Sequence, residues 1–252
     1  GEVDRLEVGQ VAGAEVVGPR HQQIGAADVA DEAQLMAAFA HLATVAPPIR
    51  GVMHAAAHLE AVPLASMTAA QAAAMLRPKV AGTQLLERLV PDADFLVLFA
   101  STTGLLGASG LSHYAAANAF LDAFAHAHSR PGHRVVAIDW GTWEVMRLAS
   151  ADSQRSYREV GLEPMSAGEA LDALGRALAS DAAEVMVARI DWNVLKPLHE
   201  ARRPRPFLSR MEQPVVAGDG VGDARYFAVA LSFAGANCRS TASASATRRR
   251  TS

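Results

Sequence analysis

The sequence predicts an α/β fold, a parallel sheet with helices on both faces, and three observations lead there. Apolar runs of strand length alternate with stretches of helical periodicity from "IRGVMHAAA" to "AEVMVARIDW". The runs "DFLVLFAS" and "RVVAIDWG" are continuous rather than alternating, as strands buried on both faces of a parallel sheet are. Proline and glycine collect at the junctions, as in "RPGH".

The elements follow in order. "AEVVG" and "HQQIGAADV" are short strands, and Asp31 is placed to cap the helix "EAQLMAAFAHLATV". "IRGVMHAAA" is a buried strand ending near His54, and its small residues let another group approach the backbone. "TAAQAAAMLRPKVAGTQLLERLV" is helical, with Pro78 predicting a break or kink near Arg77. After the strand "DFLVLFAS", "TTGLLGASGL" reads as a glycine-rich loop, and the helix "SHYAAANAFLDAFAHAHS" runs to "RPGH". "RVVAIDWG" is a strand, Ser166 and Glu169 have capping-box spacing at the head of a helix, and "AEVMVARIDW" closes the pattern. These elements make one domain over 1–203; 204–252 reads as a connector and a low-complexity tail, "CRSTASASATRRRTS", too poor in apolar residues to fold.

Composition narrows the function classes. The 252 residues are 50% hydrophobic and 19% charged, enough for one large core. A net charge of −3, with arginines bunched at Arg202, Arg203, Arg205 and Arg248 to Arg250, argues against nucleic acid as a partner. The single cysteine, Cys238, excludes an internal disulfide and fits a reducing, cytoplasmic setting. No apolar run has membrane-spanning length, and "GEVDRLEVGQ" lacks the charged and hydrophobic regions of a signal peptide. Gly1 in place of methionine fits a piece of a longer chain, or a processed terminus.

In α/β sheets chemistry collects beyond the carboxyl ends of the strands, and three segments deliver polar residues there. Ser101 ends "DFLVLFAS", His54 ends "IRGVMH", and Tyr114 opens the helix after the glycine-rich loop, with Asn118 on the same face one turn on. A serine and a tyrosine hydroxyl aimed at one carbonyl oxygen would orient and protonate it during hydride delivery. A phenol with a pKa of about 10 needs a cation nearby for that work, and Lys79 is the candidate. Each residue alone reads blandly: a packed aromatic, a strand-end hydroxyl, a solvated lysine, an asparagine slightly unfavourable inside a helix. His54 and His58 have zinc-like spacing without an H-E-x-x-H motif, so no metal is expected. Ser101 lacks the G-x-S-x-G frame of a serine hydrolase.

Together "GVMHAAAHLEAVPL", "LRPKVAGT", "LFASTTGLLGASGLSHYAAANAFLDAFA" and "VVAIDWGTW" resemble the ketoreductase domain of modular polyketide synthases, a branch of the short-chain dehydrogenase/reductase superfamily. The resemblance runs from about residue 11 to residue 210. Ordinary members of the superfamily carry lysine where this chain has Asn118, whereas the polyketide branch places asparagine there and its lysine on an earlier helix, as with Lys79. The resemblance implies a Rossmann-like, doubly wound sheet and the catalytic residues Tyr114 (proton donor), Ser101 (carbonyl ligand), Lys79 (ribose contact, tuning the tyrosine) and Asn118 (relay). It implies cofactor contacts from Asp28 and Val29 to the adenine, from His54, Ala55 and Ala56 to the ribose and phosphate side, and from Gly141 and Thr142 to the nicotinamide. The reaction implied is NADPH-dependent reduction of a β-ketoacyl thioester to the β-hydroxyacyl thioester. Its partners would be an acyl carrier protein bearing the β-ketoacyl phosphopantetheine and the other synthase domains.

The departures matter too. No G-x-G-x-x-G occurs, so the phosphate-binding β-α-β unit would precede residue 1 and the domain would be N-terminally truncated. Ala57 stands where "HAAG" commonly ends in glycine, "HLEA" where one stereochemical class has leucine and two aspartates, and Leu106 where the other has tryptophan. The alcohol configuration therefore stays open. So do two other readings: a non-catalytic remnant of a synthase that cannot hold cofactor, and a free-standing short-chain dehydrogenase, which lysine rather than Asn118 would have favoured.

Overall fold

A computed structural model of the chain describes residues 15–16, 22–23, 27–144, 157–201, 203–210 and 226–231. The chain divides into two compact units, Gly1–Ile138 and Asp139–Ser252.

In the first unit, β1 (Glu15–Val16) and β2 (Gln22–Gln23) form a short antiparallel ladder. α1 (Glu32–Val45) starts where the sequence places it, with the Asp31 carboxylate accepting the Gln34 amide at 3.0 Å. β3 (Gly51–His54), α2 (Ala69–Leu89) and β4 (Phe95–Ser101) make a βαβ unit. β3 and β4 run parallel, in register from Gly51 opposite Phe95 to His54 opposite Leu98. A Cβ on Gly51 would lie 2.1 Å from the Phe95 ring, so the glycine is what lets that ring cross β3. Leu96, Val97 and Leu98 are almost wholly buried, which explains the unbroken apolar run. Val29, Leu35 and Leu86 form a core beneath α1 and α2.

Two elements here differ from the sequence expectation. α2 passes through Pro78 without a break, although proline removes a helix hydrogen bond. Pro78 is buried, and its carbonyl is held by a hydrogen bond from His54, so tertiary packing offsets the lost rung. The loop expected over 102–111 opens instead as α3 (Thr102–Leu106), because Ser101 caps it. The chain then turns at Gly107 and Gly110, both at positive φ (74° and 71°), into α4 (Ser112–His128). β5 (Arg134–Trp140) follows, with Val135 to Ile138 fully buried.

The second unit holds the end of β5, β6 (Leu162–Glu163), α5 (Ala167–Ala179), β7 (Glu184–Ile190) and α6 (Trp192–Glu200). The Ser166–Glu169 capping box forms as its spacing predicts. β6 pairs antiparallel with β7, and an ion pair of 3.0 Å from Arg189 to Glu163 reinforces the ladder. α6 follows β7 at once, with Asp191 accepting the Asn193 amide; the sequence pattern, closed at Trp192, leaves this helix out. Within the stretch expected to be connector and tail, β8 (Tyr226–Leu231) pairs antiparallel with β7 from Glu184 to Arg189. "YFAVAL" is a run of aromatic and aliphatic residues of the kind that suits an added strand. Among the described residues no helix is long and apolar enough to cross a membrane.

Candidate active site

Ser101 lies at a junction without slack, both the last residue of β4 and the N-cap of α3. Its Oγ accepts the Thr103 amide at 3.2 Å, and its hydroxyl donates to Thr103 Oγ1, also at 3.2 Å. α3 packs closely on α4 through Gly104, where a Cβ would stand 3.2 Å from Asn118 Cβ and 3.3 Å from the Ala119 nitrogen. The strand-end serine is thereby tied to the helix that carries Tyr114 and Asn118.

On α4, the Asn118 amide Nδ2 donates to the Tyr114 carbonyl at 2.8 Å. Asn118 is fully buried, and its Oδ1 has no hydrogen-bond partner among the described residues. An orphaned acceptor costs stability, about 1–3 kcal/mol, which a chain built only for folding would avoid. From α2, Lys79 arrives almost wholly buried, donating from Nζ to the Phe99 carbonyl at 2.6 Å. The same Nζ lies 5.8 Å from the centroid of the Tyr114 ring. The structure thus brings together Lys79, Tyr114 and Asn118, which stand on two different helices.

His54 is buried with its ring turned onto α2, where Nε2 donates to the Pro78 carbonyl at 3.1 Å. Burial pushes its pKa down to about 4, the Lys79 charge adds to that, and the bond to Pro78 opposes it. His54 is therefore neutral at physiological pH. Its side chain braces the helix one residue before Lys79, while Ala55 is exposed and Ala56 half-buried. Asp28 accepts the Ala30 amide at 2.9 Å and is paired with Arg77, whose second nitrogen donates to the Ala30 carbonyl at 3.0 Å. Burial pushes the Asp28 carboxyl up, but the Ala30 amide and Arg77 together outweigh it and hold it below the usual carboxylate range. The Val29 side chain sits in the core at 1% exposure, so it offers no side-chain surface there.

Gly141 and Thr142 belong to the second unit. The Gly141 amide donates to the Val187 carbonyl at 2.8 Å, and a Cβ on Gly141 would lie 2.7 Å from Ala188 Cβ. Thr142 is buried, and its carbonyl accepts the Met165 amide at 2.8 Å. Trp140 and Trp143 meet edge to face, with centroids 4.9 Å apart. The bracing role of the Pro78 carbonyl, the hydroxyl of Thr103 and the close approach at Gly104 carry no motif in the sequence. Only the serine-to-threonine spacing of two residues, suited to a local side-chain turn, hints at one of them.

The parallel βαβ core, with a serine ending β4 and a tyrosine in the first turn of α4, defines a Rossmann-like domain of the short-chain reductase type. The family model of the KR domain matches residues 14–145, and the chain belongs to this family, the ketoreductase domains of polyketide synthases. It is 36% identical over 200 residues to erythronolide synthase EryA3 of Saccharopolyspora erythraea, covering 79% of this chain and 6% of that protein. It is 41% identical over 164 residues to lovastatin diketide synthase lovF of Aspergillus terreus, covering 62% of this chain and 6% of that one. Among solved structures it is similar to PlmKR1, the ketoreductase from the first module of phoslactomycin biosynthesis in Streptomyces sp. HK803, with a TM-score of 0.70 and 37% identity over 75% of this chain and 44% of that chain. The chain thus spans a small part of these synthases and less than half of the solved ketoreductase.

Proposed function

We propose that this chain reduces a β-ketoacyl thioester, carried on an acyl carrier protein, to the β-hydroxyacyl thioester at the expense of NADPH. The observation that carries the reading is the burial of the Lys79 ammonium beside the Tyr114 ring, one helical turn from Asn118. A lysine is costly to bury, and here it stands where an ionising phenol gains from a positive charge. Tyr114 donates its proton to the ketone oxygen, Ser101 gives that oxygen a hydrogen bond, and the Lys79 charge stabilises the phenolate left behind. The phenol regains its proton from solvent after product leaves. When bound, NADPH supplies hydride to the ketone carbon, so carbon and oxygen together gain one hydride and one proton.

The donor set fits the cofactor's nicotinamide end. Lys79 and Tyr114 offer an ammonium and a hydroxyl to ribose oxygens, while Asn118, fully buried, supports Tyr114 from within the helix. Ala55 and Ala56 would line the same ligand, with Asp28 and the Val29 backbone at the adenine. A cytoplasmic site of action accords with the lone cysteine and with a reduced cofactor. Partners would be the carrier protein and neighbouring synthase domains.

The test measures NADPH binding by fluorescence and oxidation of NADPH with a β-ketobutyryl thioester, for the chain and for Tyr114→Phe. The variant is expected to lose only the few-fold NADPH affinity of one hydrogen bond but about 10²- to 10⁴-fold in rate. Equal rates in the two proteins would sink the assignment of the proton donor. No G-x-G-x-x-G lies within the 252 residues, which favours one second reading, a non-catalytic remnant. It takes over if the chain neither binds NADPH nor reduces the ketone.

A further inference from the structure

Thr103 sits two residues after the proposed carbonyl ligand, and its contacts constrain what Ser101 can do. A serine hydroxyl has one proton and two lone pairs. Ser101 Oγ receives the Thr103 amide on one lone pair at 3.2 Å, while its proton points to Thr103 Oγ1 at 3.2 Å. In this arrangement no proton is left for a ketone. The O–H···O distance is long compared with the common 2.7–2.8 Å, so the proton is weakly held and a ketone oxygen can compete for it. Thr103 Oγ1 has no other partner among the described residues.

We propose that Thr103 is a positioning residue for ketone reduction, whose hydroxyl reverses its hydrogen bond when the substrate arrives. This rests on the functional reading above. On ketone binding, Ser101 turns its proton from Thr103 Oγ1 to the ketone oxygen. Thr103 then rotates its own proton onto the lone pair of Ser101 Oγ that the turn exposes. Both acceptor sites of Ser101 are now filled from Thr103, one by its amide and one by its hydroxyl, and the only donor faces substrate. No proton is transferred and no bond beyond hydrogen bonds changes. The chain Thr103 O–H to Ser101 O–H to ketone oxygen is cooperative, because each hydroxyl that accepts becomes a better donor. Thr103 touches neither ketone nor cofactor and acts only through Ser101. Its position inside α3, a single turn capped by Ser101 itself, fixes both contacts to the same short segment.

The experiment compares the 252-residue chain with Thr103→Val, which keeps the branched shape and the amide but loses the hydroxyl, and with Thr103→Ser, which restores it. Two readouts are taken: kcat and KM with a β-ketobutyryl thioester, and the ¹³C shift of that thioester's labelled ketone carbon when bound. Thr103→Val is expected to lower kcat roughly three- to tenfold with little change in KM, the size of one net hydrogen bond. It should also move the bound carbonyl signal upfield, and Thr103→Ser should recover both. Unchanged kcat and carbonyl shift in Thr103→Val overturn the proposal while leaving the ketoreductase reading intact, as does a loss of melting temperature with no change in either readout. A wild-type chain that neither binds nor reduces the ketone overturns the functional reading, and this inference with it.

Discussion

Lys79 and Tyr114 stand on separate helices, α2 and α4, yet the Lys79 ammonium lies 5.8 Å from the centre of the tyrosine ring, with its second anchor on the Phe99 carbonyl at 2.6 Å. The lysine is thus held at both ends of a short path from the end of β4 to the phenol. Lys79→Met removes the charge and keeps the stem. A charge-assisted hydrogen bond is lost, about 1.5–3 kcal/mol, but a buried charge no longer has to be desolvated, which costs several kcal/mol. Ketone reduction is therefore expected to fall at least about tenfold while the urea midpoint does not fall. A variant that melts early and reduces normally would show Lys79 to be structural.

Asn118 bonds through Nδ2 to Tyr114 and leaves Oδ1 buried without a partner among the described residues. Asn118→Ala gives up one hydrogen bond of about 1 kcal/mol, relieves an orphaned acceptor of about 1–3 kcal/mol, and adds helix propensity. Thermal unfolding should show the variant at least as stable as the parent, and turnover should show it slower. A clear drop in melting temperature would mean that Oδ1 has a bond that matters for folding.

The neutral state of His54 makes stability depend on pH in a defined direction. Its pKa is about 4 in the folded chain against 6.5 unfolded, so protons bind the unfolded state more readily. The stabilisation is fully present above about pH 6.5 and is lost as pH falls towards 4, by ~3 kcal/mol in all. Denaturant melts between pH 7 and pH 4 should show this decline, and His54→Gln, which can still donate to Pro78, should flatten it. An equal slope in both proteins would assign the decline elsewhere.

Gly141 is a packing requirement of its own unit. A methyl there would stand 2.7 Å from Ala188 Cβ and 3.0 Å from its Cα, and backbone cannot yield as a flexible side chain does. Gly141→Ala is expected to destabilise by about 1–3 kcal/mol, read from the denaturant midpoint. Adding Ala188→Gly should return part of that loss. No recovery would place the strain at another neighbour.

Much of this architecture is legible in the sequence where local and tertiary preferences agree. The bounds of α1 follow from Asp31 and the apolar period, and β4 from its unbroken apolar run. Pro78 misleads because a local rule counts the lost helix bond but not the burial and the His54 contact that hold the helix together. α3 is hidden by its glycine-rich composition, and α6 by Pro197 in its interior, although Asp191 marks its start. For the site, helical spacing pairs Tyr114 with Asn118, the strand end supplies Ser101, and the phenol's need for a cation singles out Lys79; the family resemblance then gives the four their separate roles. That the His54 ring turns onto α2, and that the Asp28 carboxylate is taken up by Arg77, are tertiary facts with no local signature.

The direct passage of β4 into α3 at Ser101 also decides where this chain can change length. One residue inserted between Phe99 and Thr103 would either swing the serine to the opposite face of the sheet or unwind the turn it caps, since strand side chains alternate faces. Six residues on from Ser101, the backbone is permissive. Gly107 has open space around the position of a side chain, and with Gly110 it forms the one stretch between strand and α4 where added residues can bulge into solvent. Insertions and deletions among relatives should therefore gather at 107–111 and be absent at 99–103, and a designed loop graft that respects this boundary would reshape the turn without moving the serine.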